Sequence, residues 1–237
     1  MVKLGKRLQA LDAMVVAGYD QIWDGCCDHG LLGAALLSRR AAPLIHFVDL
    51  VPALMQQLAH QLQRHFPLSA AAADEGVQPR WQVHCCDLTS LRLDAAGGRQ
   101  LVIIAGVGGD LMARMVEGLC LTNPNLSFDL LLCPANHAYN LRAQLIALGL
   151  GLKHEQLVAD NRRYYELLLL TTEPGAGRAV SPAGDQLWQT SNPEQAVNAA
   201  RYREQSLRHY QRMQLSQGER VQPQIEAYQR VQLPSEM

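Results

Sequence analysis

The chain has 237 residues, enough for one α/β domain and a small appendage. Hydrophobic residues make up 48%, so a sizeable core is available, and the formal net charge of −1 points to no nucleic-acid partner by itself; such a contact must be a local patch. Lys3, Lys6 and Arg7 lead into an amphipathic stretch rather than an apolar leader, and no apolar run is long enough to span a membrane, so a cytoplasmic protein without a membrane partner is expected.

Lys6 to Val16 carries apolar residues at helical spacing and predicts a leading helix. Ile22 to Asp24 reads as a first strand, followed by a tight turn and a helix over Leu31 to Arg40. Pro43 stops that helix. Leu44 to Val48 is a buried second strand ending in Asp49, and Pro52 opens a helix over Ala53 to His65. The Ala-rich stretch from Pro67 to Pro79 reads as a loop or frayed helix end. Trp81 to Cys85 is a third strand, followed by Asp87. Leu101 to Ala105 is a fourth, followed by Gly106-Val107-Gly108-Gly109 and a helix over Asp110 to Leu119. Asp129 to Cys133 is a fifth strand, stopped by Pro134, and Tyr139 to Leu148 a helix broken by Gly149 and Gly151. Glu155 to Ala159 and Tyr165 to Thr171 make a closing pair of strands.

Five strand–helix units followed by a hairpin imply a mostly parallel seven-stranded α/β sheet with helices on both faces. This is the architecture of the Rossmann-like class I methyltransferases. The expected division is a domain over 1–172, a Pro/Gly/Ala/Ser-rich linker over 173–190 and a helical C-terminal extension over 191–237. Asn192-Pro193-Glu194 opens that extension with a cap, a first-turn proline and an acid, in a helix running to about Leu215; a second helix over about Val221 to Val231 folds back. Leu207, Tyr210, Met213 and Tyr202 share one face of the first helix, and Arg201, Arg208 and Arg212 another. Those arginines are either a solvated surface or a stripe that tracks a phosphate backbone.

Asp24, Asp49 and Asp87 follow three consecutive predicted strands, whose ends open on one edge of a parallel sheet. Acids there can take ribose hydroxyls and an adenine amino group, although single loop-start aspartates often just cap helices. The loop Gly25-Cys26-Cys27-Asp28-His29-Gly30 lacks the middle glycine of a dinucleotide fingerprint and adds a carboxylate that would repel pyrophosphate. It suits a cofactor with an ammonium and a sulfonium, which favours S-adenosyl-L-methionine. The six cysteines include two adjacent pairs, a poor spacing for metal knuckles, so no metal is expected.

Asp24-Gly25-Cys26-Cys27-Asp28-His29-Gly30-Leu31-Leu32 resembles the D-I-G-S-D-H-A-Y-L motif of the bacterial tRNA adenine-22 N1-methyltransferases. Ile104-Ala105-Gly106-Val107-Gly108-Gly109 is similar to their I-A-G-M-G-G, Asp160-Asn161-Arg162-Arg163-Tyr164-Tyr165-Glu166 to their E-D-N-K-x-Y-E, and Lys6-Arg7-Leu8 to their opening L-S-K-R-L. Their Q-P-N after strand five is Cys133-Pro134-Ala135, with Asn136 one position on.

The resemblance implies methyl transfer from S-adenosyl-L-methionine to N1 of an adenine in tRNA. The cofactor set it outlines is Asp24, Gly25, Asp28, His29, Asp49, Leu50, Asp87, Leu88, Gly106, Val107, Gly108 and Gly109. Asp28 is the catalytic candidate, a carboxylate placed to offset charge developing on the methylated ring. Asn136, Tyr139, Arg162, Tyr164, Arg201, Arg208 and Arg212 are the expected tRNA contacts. The competing readings are the same fold acting on another RNA or a small molecule, and a module that binds S-adenosyl-L-methionine or tRNA without turnover.

Overall fold

Alternating burial along the strands builds two cores, one on each face of a single sheet. In the strand over residues 101–105, Leu101 and Ile103 pack on one side and Val102 and Ile104 on the other. The structure, a computed structural model, describes residues 4–67, 80–190 and 192–233. Most of the stretch read as a loop between Pro67 and Pro79 lies outside the described residues.

The elements are α1 (Lys6–Met14), β1 (Gln21–Gly25), α2 (Leu31–Ser38), β2 (Leu44–Asp49), α3 (Pro52–His65), β3 (Trp81–Cys85), β4 (Gln100–Ala105), α4 (Gly109–Thr122), β5 (Asp129–Cys133), α5 (Ala138–Ala147), β6 (Gly151–Asp160), β7 (Arg163–Thr171), α6 (Pro193–Gln217) and α7 (Gln222–Gln229). The sheet runs β3-β2-β1-β4-β5-β7-β6, with β7 antiparallel to both neighbours. Strand order reverses at β1, whose neighbours are β2 and β4. A crevice therefore opens beyond the carboxyl end of β1, where open α/β sheets bind ligands.

Leu11 of α1, Leu36 of α2 and Leu58 of α3 belong to the core on one face. Met112 and Val116 of α4 and Leu145 of α5 belong to the core on the other. Gly33 sets the approach of α2 to β2: a Cβ there would lie 2.3 Å from the Phe47 ring and 2.8 Å from Asp24 Oδ2. Asn192 caps α6 through its side chain, accepting from Glu194 N at 2.9 Å, with Pro193 in the first turn.

Two differences from the sequence reading have a common cause. β6 starts at Gly151, four residues before the expected Glu155, although Gly151 carries the signature of a helix breaker. A Cβ at Gly151 would lie 1.7 Å from Ala176 O, so the glycine is required by a close crossing. The chain after β7 returns along β6 and exchanges two backbone hydrogen bonds between Leu152 and Arg178, at 2.7 and 2.9 Å. The segment 173–190, expected to be a linker, is thus a packed strap. Val180, Leu187 and Trp188 are buried, and the last two join Tyr210 and Tyr228 in a third core beneath α6 and α7.

The strap and α6 are tied to the sheet by Arg142 of α5, which is fully buried. Its Nε donates to Glu166 Oε2 and its Nη2 to Glu155 Oε2, both at 2.6 Å, and Nη1 donates to Ser181 O at 3.0 Å. Tyr202 of α6 donates to the other Glu166 oxygen at 2.6 Å. Burial works to raise Glu155, but Arg142 and the amides of Asp185 and Gln186 hold its carboxyl below the usual range.

Removing the cation strands two buried carboxylates. Arg142→Ala should lower the unfolding free energy by about 3–5 kcal/mol, read by urea denaturation. A drop under about 1 kcal/mol would mean that the glutamates find other partners or water.

Candidate active site

Beyond the carboxyl ends of β1, β2 and β4 lies a cavity of about 470 Å³, within the range of small-ligand sites. It brings together Asp24, Asp28, His29, Asp49, Gly106 and Val107 from the expected cofactor set. Asp24 ends in the wall of the cavity, 4% exposed, where Oδ2 accepts from Gly33 N at 2.8 Å. Burial pushes its carboxyl up to about 7, the Gly33 amide pulls it back, and the Asp49 charge adds to the rise.

Asp49 holds two loops. Oδ1 accepts from Val51 N and Oδ2 from Asp28 N, each at 3.1 Å. Cys26 and Asp28 both have left-handed backbones, with φ of 55° and 50°. Asp28 and His29 reach the mouth as an exposed pair 3.6 Å apart. The loop therefore aims its carboxylate at the opening and its thiols inward. Burial pushes Cys26 up to about 11, with Asp49, Asp24 and Asp87 adding to it, and Cys133 up to about 12. These thiols stay protonated and pack as small hydrophobes. Among the described residues no group of three or more His, Cys, Asp or Glu is placed to hold a metal ion.

The other members of the expected cofactor set lie outside the lining of this cavity. Gly25 is the buried last residue of β1, and a Cβ on it would strike Leu88. The Leu88 side chain is buried in the core with Met112 and Val116. Asp87 caps the turn over Leu88–Ser90 by accepting from Thr89 N at 2.8 Å. Leu50 is exposed at the rim. Gly108 and Gly109 lie under the loop after β5.

Arg7, absent from the expected set, lines the cavity from α1. Its guanidinium sits 5.0 Å from the Tyr165 ring, and its backbone N donates to Asp160 Oδ2 at 3.2 Å. The only sequence signal for it is the Lys6-Arg7-Leu8 resemblance, because α1 reaches the site across the β6–β7 hairpin.

The tip of that hairpin lies on the same edge as the cavity, since β6 runs parallel to β5 across β7. Between the tip and α6 is an open groove of about 810 Å³. Arg162, Tyr164, Arg201, Arg208 and Arg212 all line it, with Glu204 paired to Arg208. Tyr139, half-buried and outside that groove's lining, packs against Tyr210 and Tyr228 of the C-terminal helices, with ring centroids 6.2 and 6.5 Å away. Asn136 is exposed, its side chain over Gly108.

Residues 4–168 match the family model described as a methyltransferase domain. No curated protein matches the chain. Among solved structures, the m1A22 tRNA methyltransferase TrmK of B. subtilis is 20% identical with a TM-score of 0.67, the match covering 97% of this chain and 95% of that one. M. capricolum TrmK, in complex with S-adenosyl-homocysteine, is 14% identical with a TM-score of 0.71, over 95% and 96%. A protein of Streptococcus agalactiae assigned to the NADB-Rossmann superfamily is 18% identical with a TM-score of 0.71, over 96% of each chain. At these identities the likeness is one of fold. The family match is different in kind, running from the start of α1 into β7 and so through every element that lines the cavity: the chain belongs to the methyltransferase domain family.

Proposed function

We propose that the chain is a cytoplasmic S-adenosyl-L-methionine-dependent enzyme that methylates N1 of an adenine in tRNA. The observation that carries the reading is an acidic cavity and a groove lined by four arginines on one edge of the sheet. A cation-bearing donor suits the first, and a phosphate backbone the second. The B. subtilis relative is named for this reaction, and its M. capricolum counterpart holds the demethylated cofactor.

The donor set fits the cofactor group by group. Asp24 and Asp28 meet its ammonium end, and Arg7 supplies a cation for its carboxylate. Asp49 serves the ribose, since each of its oxygens keeps a lone pair after bonding the loop amides. Asp87, which follows β3 beyond the cavity lining, would take the adenine amino group from the edge of the site. Leu50 at the rim and the Gly106–Val107 backbone in the wall would border the nucleoside. When bound, the cofactor supplies a sulfonium methyl for in-line displacement, and the chain's main task is alignment. Adenine N1 brings its own lone pair, so no base is needed to generate the nucleophile. The methylated ring becomes cationic, and Asp28 at the mouth lies where a carboxylate offsets that charge. Arg162, Arg201, Arg208 and Arg212 hold backbone phosphates, with Tyr164 and Asn136 nearer the base.

Incubation of bulk tRNA with labelled donor, followed by nucleoside analysis, should yield 1-methyladenosine. A different methylated nucleoside would reject the acceptor, and labelling of a small molecule alone would move the activity to another substrate.

A cationic ligand beside Asp24 favours its ionised form, so cofactor binding should release a proton. Affinity should rise as pH passes upward through about 7 and fall below it, by up to about tenfold per pH unit. Calorimetry in buffers of different ionisation enthalpy reads this release. Asp24→Asn should abolish it; equal proton release in that variant would assign the linkage to another group.

Reversing Arg201, Arg208 and Arg212 to glutamate should weaken tRNA binding at least tenfold. It should also lower the salt slope by about one unit for each phosphate that is no longer neutralised. Cofactor affinity serves as the control for folding. An unchanged salt slope would make the groove an ordinary solvated surface.

A further inference from the structure

The loops after β4 and β5 are bonded to each other. Gly106 N donates to Cys133 O at 3.2 Å, Ala135 N to Val107 O at 2.8 Å, and Gly109 N to Asn136 O at 3.0 Å. A Cβ on Gly109 would lie 2.4 Å from His137 O, so this close pairing requires glycine. The pairing carries a second side-chain cluster to the sheet edge, next to the Gly106–Val107 wall of the cofactor cavity.

His137 precedes α5 with a left-handed backbone, φ 52° and ψ 39°. A residue with a Cβ holds that conformation where its surroundings fix it, and such positions gather at active sites. Its Nδ1 bonds to Asp110 Oδ2, and Asn140 Nδ2 donates to Asp110 Oδ1 at 2.8 Å. Both carboxylate oxygens are thereby engaged, and the bonds from Asn140 and His137 hold Asp110 below the usual carboxylate range. In the tautomer that turns its Nδ1 hydrogen toward Asp110, the imidazole presents Nε2 as an acceptor. The His137 side chain is 51% exposed, so packing does not use the ring. His209 of α6 is within electrostatic reach: burial, then Arg212 and His137, push its imidazole down.

We propose that His137, oriented by Asp110 and Asn140, receives the acceptor adenine by taking a hydrogen bond from its exocyclic amino group. The inference rests on the adenine N1 reading above. N1 must keep its lone pair free for the methyl group, so the neighbouring amino group is the remaining handle on that edge of the base. An acceptor there also rejects guanine, which presents a carbonyl at the same position. As positive charge spreads over the ring, the amino hydrogens become better donors, so the bond strengthens toward the transition state.

The test compares ligated tRNA carrying adenosine or purine riboside at the methylated position. Purine riboside keeps N1 and lacks the amino group. The variant is His137→Asn, since asparagine tolerates a left-handed backbone and is too short to replace the imidazole. The variant should fall roughly tenfold in kcat/KM on adenosine RNA, with cofactor affinity unchanged. Its preference for adenosine over purine riboside should shrink by about the same factor. The intrinsic difference between the two N1 atoms is common to both enzymes and cancels. Equal preference ratios in the two enzymes would overturn the proposal. A wild type that binds cofactor but leaves adenosine RNA unmethylated would instead remove the parent reading, and this inference with it.

Discussion

A buried guanidinium is tolerable only if the fold brings it enough acceptors, and Arg142 obliges this fold to do so. Taking such an ion out of water costs several kcal/mol, recovered only with good geometry and full hydrogen bonding. Glu155 comes from β6, Glu166 from β7 and the Ser181 carbonyl from the strap. Neither glutamate is used up by the arginine. The second oxygen of Glu155 takes the amides of Asp185 and Gln186, and that of Glu166 takes the Tyr202 hydroxyl. One cation thus sets the position of four segments far apart in the chain. The cation's own helix α5 follows directly on His137, and α6, tied in through Tyr202, bears three of the groove arginines. The distance from acidic cavity to basic groove is therefore fixed by a buried ion network, rather than left to a tether.

The two edges of the sheet treat charge in opposite ways. On the far edge, Asp129 is saturated: Tyr19 donates at 2.7 Å, Lys153 at 2.6 Å and Arg99 at 3.2 Å. Burial works against its charge, yet the bonds from Lys153 and Tyr19 keep its carboxyl below the usual range. On the cavity edge, Asp24 has one backbone amide and a neighbouring carboxylate, and its carboxyl rises to about 7. An acid left short of cations in a wall is poised for a cationic ligand. A net charge of −1 conceals this arrangement, because the acids of the cavity are balanced by arginines a short way along the same edge.

What could be read from the chain was local. Strand ends marked by Asp24 and Asp49, the glycines after β4 and the Asn192 cap are short-range signals: Asp24, Asp49 and Gly106 line one cavity, and Asn192 caps α6. The rest depends on contacts between distant residues. Arg7 reaches the cavity from an amphipathic helix whose spacing speaks only of a core. Arg142 looks like any polar residue in α5 until its two glutamates arrive from the hairpin. Tyr139 sits in a loop-to-helix position that suits base contact, and α6 and α7 claim its ring. The strap from 173 to 190 is rich in turn residues, which signal irregular backbone equally well for a free linker and a packed one. Gly151 makes the same point: its need arises from Ala176, twenty-five residues away.

The loop after β1 shows why the departure from glycine matters. Where a dinucleotide fold would use glycine to turn without cost, this chain holds Cys26 and Asp28 in left-handed conformations. Each such residue costs roughly 1 kcal/mol or more. The cost is offset by contacts that hold the loop: the Cys27 amide bonds to Val48 O, the Asp28 amide to Asp49, and Cys26 adds a side-chain contact with Met115 that a glycine could not make. Asp49 is therefore both a candidate ribose acceptor and the anchor of the loop that displays Asp28. A loop so anchored keeps its carboxylate at the mouth before any ligand enters, and this pre-set charge excludes pyrophosphate while remaining open to a sulfonium.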